Sequence, residues 1–187
     1  QRNDDVWKPV SNGMILLPGD NVRTAAASTV SIDYYTRSTS RLDENTEVRI
    51  LPETHVSASR ETHVVALQAN KGRVWNRVLK LLDSSSSYTV QHSDVVATVR
   101  GTGFLFAASE TGARVDVTQH TVQVTRGTED AAVTEGNGVD TTKLSTSTTL
   151  REAVTSTPPA LRDDPWFQAN TLLDATFDKE AQEKWDG

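Results

Sequence analysis

Cysteine is absent from the 187 residues, which excludes disulfides, thiolate metal sites and cysteine nucleophiles together. Positive charge is in deficit. Nineteen Lys and Arg stand against 25 Asp and Glu, so the net charge of -6 disfavours non-specific binding to a phosphate backbone. No apolar run approaches the roughly 20 residues that cross a bilayer as a helix, and none has the layout of a signal peptide. At this length roughly 70% of the unfolded surface can be buried, so a core needs no covalent staples. The hydrophobic content of 36% is modest, yet the aliphatic residues fall in short groups along most of the chain. Thr, Ser and Val dominate while Lys is sparse, a composition that leans towards an extracytoplasmic protein.

What is present has a period of two. Thr29-Val30-Ser31-Ile32-Asp33-Tyr34 alternates polar with apolar, as a strand with one wet face does. Glu47 to Ile50, Arg73 to Leu79, Ala113 to Val117 and Thr121 to Val124 repeat it. Turn signals separate these runs: Pro18-Gly19-Asp20, Asp43-Glu44-Asn45, Lys71-Gly72 and Thr111-Gly112. The spacing predicts a mainly β chain: an antiparallel-rich sandwich, or a short solenoid-like barrel, of about 10–13 strands. Ser84 to Ser87 reads as a surface loop. The stretch from Gly127 to Ser147 reads as an irregular excursion, and its Glu135-Gly136-Asn137-Gly138-Val139-Asp140 piece as a turn. That piece gathers oxygen ligands but lacks the spacing of an EF-hand calcium loop.

Past residue 150 the period changes to that of a helix. Asp163-Asp164-Pro165 supplies an N-cap acid and a proline for the first turn. Trp166, Asn170, Leu173, Phe177, Ala181 and Trp185 follow at steps of three and four, predicting an amphipathic C-terminal helix ending near Gly187. A shorter helix is expected near Leu150 to Val154. The division expected is an all-β domain over 1–145 and a helical appendage over 146–187 that docks on it. Trp166, Phe167, Phe177 and Trp185 are its candidate partner contacts.

Catalytic constellations are missing from the pattern. His55, His63, His92 and His120 have no helical i,i+4 spacing, and neither Gly-x-Ser-x-Gly nor Ser-x-x-Lys occurs. Gly101-Thr102-Gly103 lacks the third glycine and the helix of a phosphate loop. Asp94, Glu110 and Asp116 could be nominated as glycosidase acids, but nothing sets them above the other carboxylates. No catalytic, cofactor or metal residue is therefore assigned, and the chain reads as a non-enzyme.

One stretch stands out: Asp94-Val95-Val96-Ala97-Thr98-Val99-Arg100-Gly101-Thr102-Gly103-Phe104-Leu105-Phe106. An apolar strand enters Arg-Gly-Thr and a second leaves it, so the pattern predicts a corner pinned by Arg100, with Phe104 and Phe106 on one face and Leu105 on the other. Val99-Arg100-Gly101-Thr102-x-Phe104 resembles the signature of the FecR family, named for the ferric citrate signal transducer. Other pieces follow in that family's order. Trp7 comes first, then Pro18-Gly19-Asp20-Asn21-Val22-Arg23-Thr24. Leu42-Asp43-Glu44-Asn45-Thr46-Glu47-Val48, Lys71-Gly72-Arg73-Val74-Trp75 and Tyr88-Thr89-Val90 come next. The resemblance covers about residues 5 to 126, and Val99, Arg100, Gly101, Thr102, Phe104, Gly19, Asp20 and Trp75 carry its structural motif.

The resemblance implies an extracytoplasmic β-domain, in the periplasm or at the cell surface, that senses and signals through a protein partner in the cell envelope. It also implies that this is the exported part of a membrane-anchored precursor. The tail departs from the family, reading as a helix where a small βαβ module is expected. The competing expectation is a structural subunit of a surface layer or filament. Copies of the chain would then assemble through strand or helix contacts, with the arm Gln1 to Val10 lent to a neighbour.

Overall fold

The structure is a computed structural model that describes residues 7–56, 62–79, 83, 85–144 and 147–183, with residues 179–183 described by backbone alone. Among the described residues there are thirteen strands. The first six are β1 (Asn21–Arg23), β2 (Val30–Asp33), β3 (Thr39–Leu42), β4 (Glu47–Ile50), β5 (Val64–Arg77) and β6 (Ser87–His92). Then come β7 (Val95–Val99), β8 (Gly103–Ser109), β9 (Gly112–Gln119), β10 (Thr121–Arg126), β11 (Glu129–Thr134), β12 (Asn137–Asp140) and β13 (Val154–Ser156). Two helices, α1 (Pro159–Arg162) and α2 (Pro165–Glu183), follow. The expected β class with a C-terminal helix is what the chain adopts, as a nearly closed, barrel-like sheet.

The long strand β5 belongs to both halves of this sheet. Its first part pairs with β4 on one side and, in parallel, with β6 on the other. Its second part pairs with β3 and β8. One layer therefore runs β1-β4-β5-β6-β7-β10-β11, and the other runs β2-β3-β5-β8-β9-β12-β13. Apart from β5 with β6, every strand pair is antiparallel.

Side-chain alternation fills the space between the layers. Ile50, Leu67, Val90, Ala97, Val124 and Ala131 stand side by side across the first layer. Leu42, Val74, Phe106, Val115 and Val139 form the facing row. Burial of such aliphatic rows, at about 25 cal/mol per Å² of apolar surface, is the main force holding the layers together. A polar cluster lies within the apolar interior. The Tyr88 hydroxyl donates to Asn76 Oδ1 at 2.8 Å and meets Ser40 Oγ, which also lies 3.2 Å from the Tyr34 hydroxyl. Burial pushes the Tyr34 phenol up to about 12 and Tyr88 well above its ordinary value, against the lowering effect of the Ser40 bond at each, so both remain neutral donors.

The crossover from layer to layer is fixed by contacts around Gly72, whose φ is +87°. Thr46 Oγ1 accepts from Arg73 N at 3.0 Å, Asp43 N donates to Arg73 O at 3.0 Å, and Arg73 Nε donates to Asp43 Oδ2 at 2.7 Å. Asn45, also in the left-handed region at φ 53°, turns the chain so that Asp43 and Thr46 can both reach Arg73. A Cβ at residue 72 would lie within 2.6 Å of the Thr46 Cα. The acidic turn and the Gly-x-Val-Trp strand, separate in sequence, are thus one structural unit.

Three expectations change. The stretch expected to be irregular, from Gly127 to Ser147, contains β11 and β12, joined by a turn at Glu135-Gly136. Leu150 to Ala153 is a turn leading into β13, where a short helix was expected. On α2 the buried stripe holds Phe167, Asn170 and Asp174, while Leu173 is 54% exposed and points away from the sheet. Trp185 and Gly187 fall outside the described residues.

Gly72→Ala combines a positive φ with backbone overlap, so it is expected to lower unfolding stability by about 2–4 kcal/mol. Urea denaturation reads this as a shift of midpoint at constant slope; an unchanged midpoint would remove Gly72 from its role at the crossover.

Candidate interaction face

Pleating gives β5 two chemistries. Val74 and Asn76 point into the core, so Arg73, Trp75 and Arg77 point out of the second layer. Register extends this outer face sideways: Trp75 lies between Arg41 of β3 and Leu105 of β8, and Leu105 lies beside Asp116 of β9. An indole exposed to water there would carry a large hydrophobic cost, but Trp75 is fully buried because α2 covers it. Phe167 packs edge-on to Trp75 at 5.0 Å between ring centroids, and Trp166 does so at 6.3 Å.

Ion pairs, polar bonds and cation–π contacts complete the junction. Asp174 Oδ2 accepts from Trp75 Nε1 at 2.8 Å, and its Oδ1 accepts from Arg41 at 2.8 Å. Arg41 also donates to Asn170 Oδ1 at 3.2 Å, one turn earlier. Arg77 pairs with Asp178, which takes a further bond of 2.9 Å from Gln119. Arg73 reaches Asp164 at 3.0 Å and lies over the Trp166 ring at 5.0 Å, while Arg77 lies over Phe177 at 5.6 Å. Asp164 Oδ1 accepts from Phe167 N at 2.9 Å and so caps the helix as the Asp-Asp-Pro pattern predicts. The helix turns Asp174 and Asp178 towards the sheet beside its aromatic residues and leaves Leu172 and Leu173 in solvent.

Two of these carboxylates titrate in opposite directions. At Asp164 burial opposes ionisation, but the Phe167 amide and Arg73 prevail and hold its pKa below the usual carboxylate value. At Asp174 burial is the largest influence and pushes the pKa up despite Trp75 and Arg41.

The motif residues of the Arg-Gly-Thr segment lie at one end of this face. Val99 ends β7 in the core, and Arg100 is exposed. Gly101 adopts φ 139°, and Thr102 is buried and exchanges two backbone bonds with Val78, of 3.0 and 2.8 Å. Phe104 and Phe106 enter the core while Leu105 faces Trp75, which is the alternation expected of them. Gly19, at φ 94°, and Asp20 make the turn that donates Gly19 N to Ile50 O at 2.7 Å. Trp166 and Phe177 are half-buried and Phe167 is buried, each on the sheet-facing side of α2.

The nominated carboxylates have separate surroundings. Asp116 is fully buried and held by both Arg114 Nε and its terminal nitrogen at 2.6 Å each, Asp94 pairs with Arg126 at 3.2 Å, and Glu110 is exposed in the β8–β9 turn. Gly138 makes room for that buried pair, because a Cβ there would overlap the Asp116 carboxylate. Among the described residues no group of three or more His, Asp or Glu is placed to hold a metal ion.

The family model described as FecR protein matches residues 20–123, over half of the chain. The chain belongs to the FecR family. No curated protein matches it. Two crystal structures of a protein described as a putative anti-sigma factor from Parabacteroides distasonis ATCC 8503 share the fold. Each has a TM-score of 0.54 and 14% identity, over 72% of this chain and 61% of that one. The FecR match ends in β10, so β11 to β13 and both helices lie beyond it.

The pKa directions give a signed prediction. Asp164 contributes stability that is present above its unfolded value of about 3.9 and lost as pH falls through the folded one. Asp174 contributes stability that is complete below that unfolded value and lost as pH rises through its folded one. Thermal melts at pH 3 and pH 7 should therefore show a smaller acid-induced drop for Asp164→Asn than for the native chain, and a larger drop for Asp174→Asn. Shifts of the same sign in both variants would contradict the assignment.

Proposed function

We propose that this chain is a non-enzymatic regulatory domain that works in the cell envelope, outside the cytoplasm, by sensing and relaying a signal through contact with a protein partner. The observation that carries this reading is the FecR match over residues 20–123. Likeness to a protein described as a putative anti-sigma factor fits a regulatory role, since such a protein acts by binding another. Physical features agree: the fold gathers charged and aromatic side chains where α2 meets an outer sheet face, and Asp116, the most buried of the nominated acids, is neutralised by Arg114. Binding through surface side chains, with the β-body as a rigid support, is the mechanism that these features allow.

A second reading rests on a different surface. Trp7, Val10, Met14, Ile15 and Leu17 are all substantially exposed along the arm that precedes β1, Ile15 at 79%. Trp7 lies beneath the Arg23 guanidinium at 4.1 Å, so this arm runs beside β1, whose outer edge carries no ladder partner among the described residues. Such an arm and edge suit assembly of copies into a surface layer or filament.

The two readings separate in one experiment. The chain, tagged and expressed in its native cell, is fractionated, and the envelope fraction is crosslinked and affinity-purified. The regulatory reading expects the chain in the envelope fraction with one stoichiometric protein partner, and a monomer by light scattering when pure. A cytosolic chain, or a chain recovered only with copies of itself, would contradict it.

A further inference from the structure

We propose that the outer face formed by Arg41, Arg73, Trp75, Arg77 and Leu105 is a receptor for an acidic, aromatic helix of a protein partner, and that α2 occupies it in cis as a built-in competitor. This rests on the regulatory reading above and names the place and chemistry of the contact.

Three observations carry it. The first is charge: in a chain of net charge -6, one sheet face presents three arginines around a tryptophan, and each arginine meets an aspartate of α2 or its cap. The ligand chemistry is thereby written in the present occupant: an aromatic pair near the helix start, then polar or acidic groups at steps of four, as in Asn170, Asp174 and Asp178. The second is separability. The bonds joining α2 to the face come from side chains, none from a strand ladder, so the helix can leave without unpairing any strand. Its other attachments are the packing of Trp166 and Phe167 on Trp75 and the short link from Thr157 to Asp164, which carries Pro158 and Pro159 and whose Leu161 packs in the same cluster.

The third observation shows that α2 leaves the face incompletely filled. Arg77 is 7% exposed, yet among the described residues its Nε has no hydrogen-bond partner, and neither has Thr39 Oγ1 opposite it in the ladder. A buried guanidinium donor is rarely left in this state. Asp178 takes one terminal nitrogen of Arg77; a glutamate, one methylene longer, can accept from Nε and the terminal nitrogen together, the two-bond geometry that carboxylates favour with arginine. A partner helix bearing glutamate at that step would therefore fit the face better than α2 does. A second copy is the less suited occupant, because its α2 has the same aspartate and brings a whole body of like net charge with it.

The test uses the full chain and a synthetic peptide of the sequence from Asp163 to Glu183. Binding is followed by fluorescence anisotropy of the labelled peptide. Asp174→Asn with Asp178→Asn in the chain loosens α2 while leaving the arginines intact. Asp178→Asn alone, at a side chain 41% exposed, serves as the milder variant should the double one unfold. The proposal expects the variant to bind the native peptide at least about tenfold tighter than the unmodified chain does. It also expects an Asp178→Glu peptide to bind more tightly still, with that gain erased by Arg77→Ala in the chain. Equal or absent binding to folded variants would overturn the proposal, as would a concentration-dependent dimer that excess peptide does not dissolve. If peptide binding fails while a single envelope partner still co-purifies, the receptor face is wrong and the regulatory reading stands; loss of both removes the reading itself.

Discussion

The turn of β5 around Gly72 is the constraint on which the rest of the structure depends. One strand supplies the seam of both layers, and the left-handed glycine, seated against Thr46, lets it pass from one to the other. Asp43 and Thr46 then hold Arg73 by backbone and side chain, so the strand's facing is set at that residue. Because side chains alternate, fixing Arg73 outward also fixes Trp75 and Arg77 outward and Val74 and Asn76 inward. A slip of one residue would exchange core for surface. Stability and the outer face are in this sense two readings of a single register.

That face is covered by a helix held by charge as well as by aromatic packing. Half-buried arginine–aspartate pairs gain from reduced screening but carry a desolvation cost, which surfaces at Asp174 as a raised pKa. Such contacts are selective and reversible, whereas the aliphatic rows between the layers are neither.

Much of the β-body was legible because alternation is a local signal. Glu47 to Ile50, Ala113 to Val117 and Thr121 to Val124 are strands as the pattern predicts, and Phe104, Leu105 and Phe106 divide between the faces as expected. The pairing was less legible. Nothing local says that the acidic turn at Asp43 meets Arg73, or that β5 lies parallel to β6. β12 and β13 are only four and three residues long, and they become strands by addition in turn, β12 to the edge of β9 and β13 to β12. The phase of α2 was misread for an instructive reason. Hydrophobic spacing selects Leu173 for the buried stripe, but the surface that receives the helix is lined with arginine, so Asp174 is buried instead. A helix chooses its inward face by what it meets, and that information sits over 90 residues away in β5.

Hydrogen exchange resolved along the chain tests the central claim most directly, comparing the amides of α2 with those of β5 and β8 as ionic strength rises. An ionic clasp on a separately stable β-body predicts that α2 exchanges by local opening, faster in high salt, while the β5 and β8 amides keep their protection. Exchange of α2 only together with β5 and β8, at a rate indifferent to salt, would contradict the account.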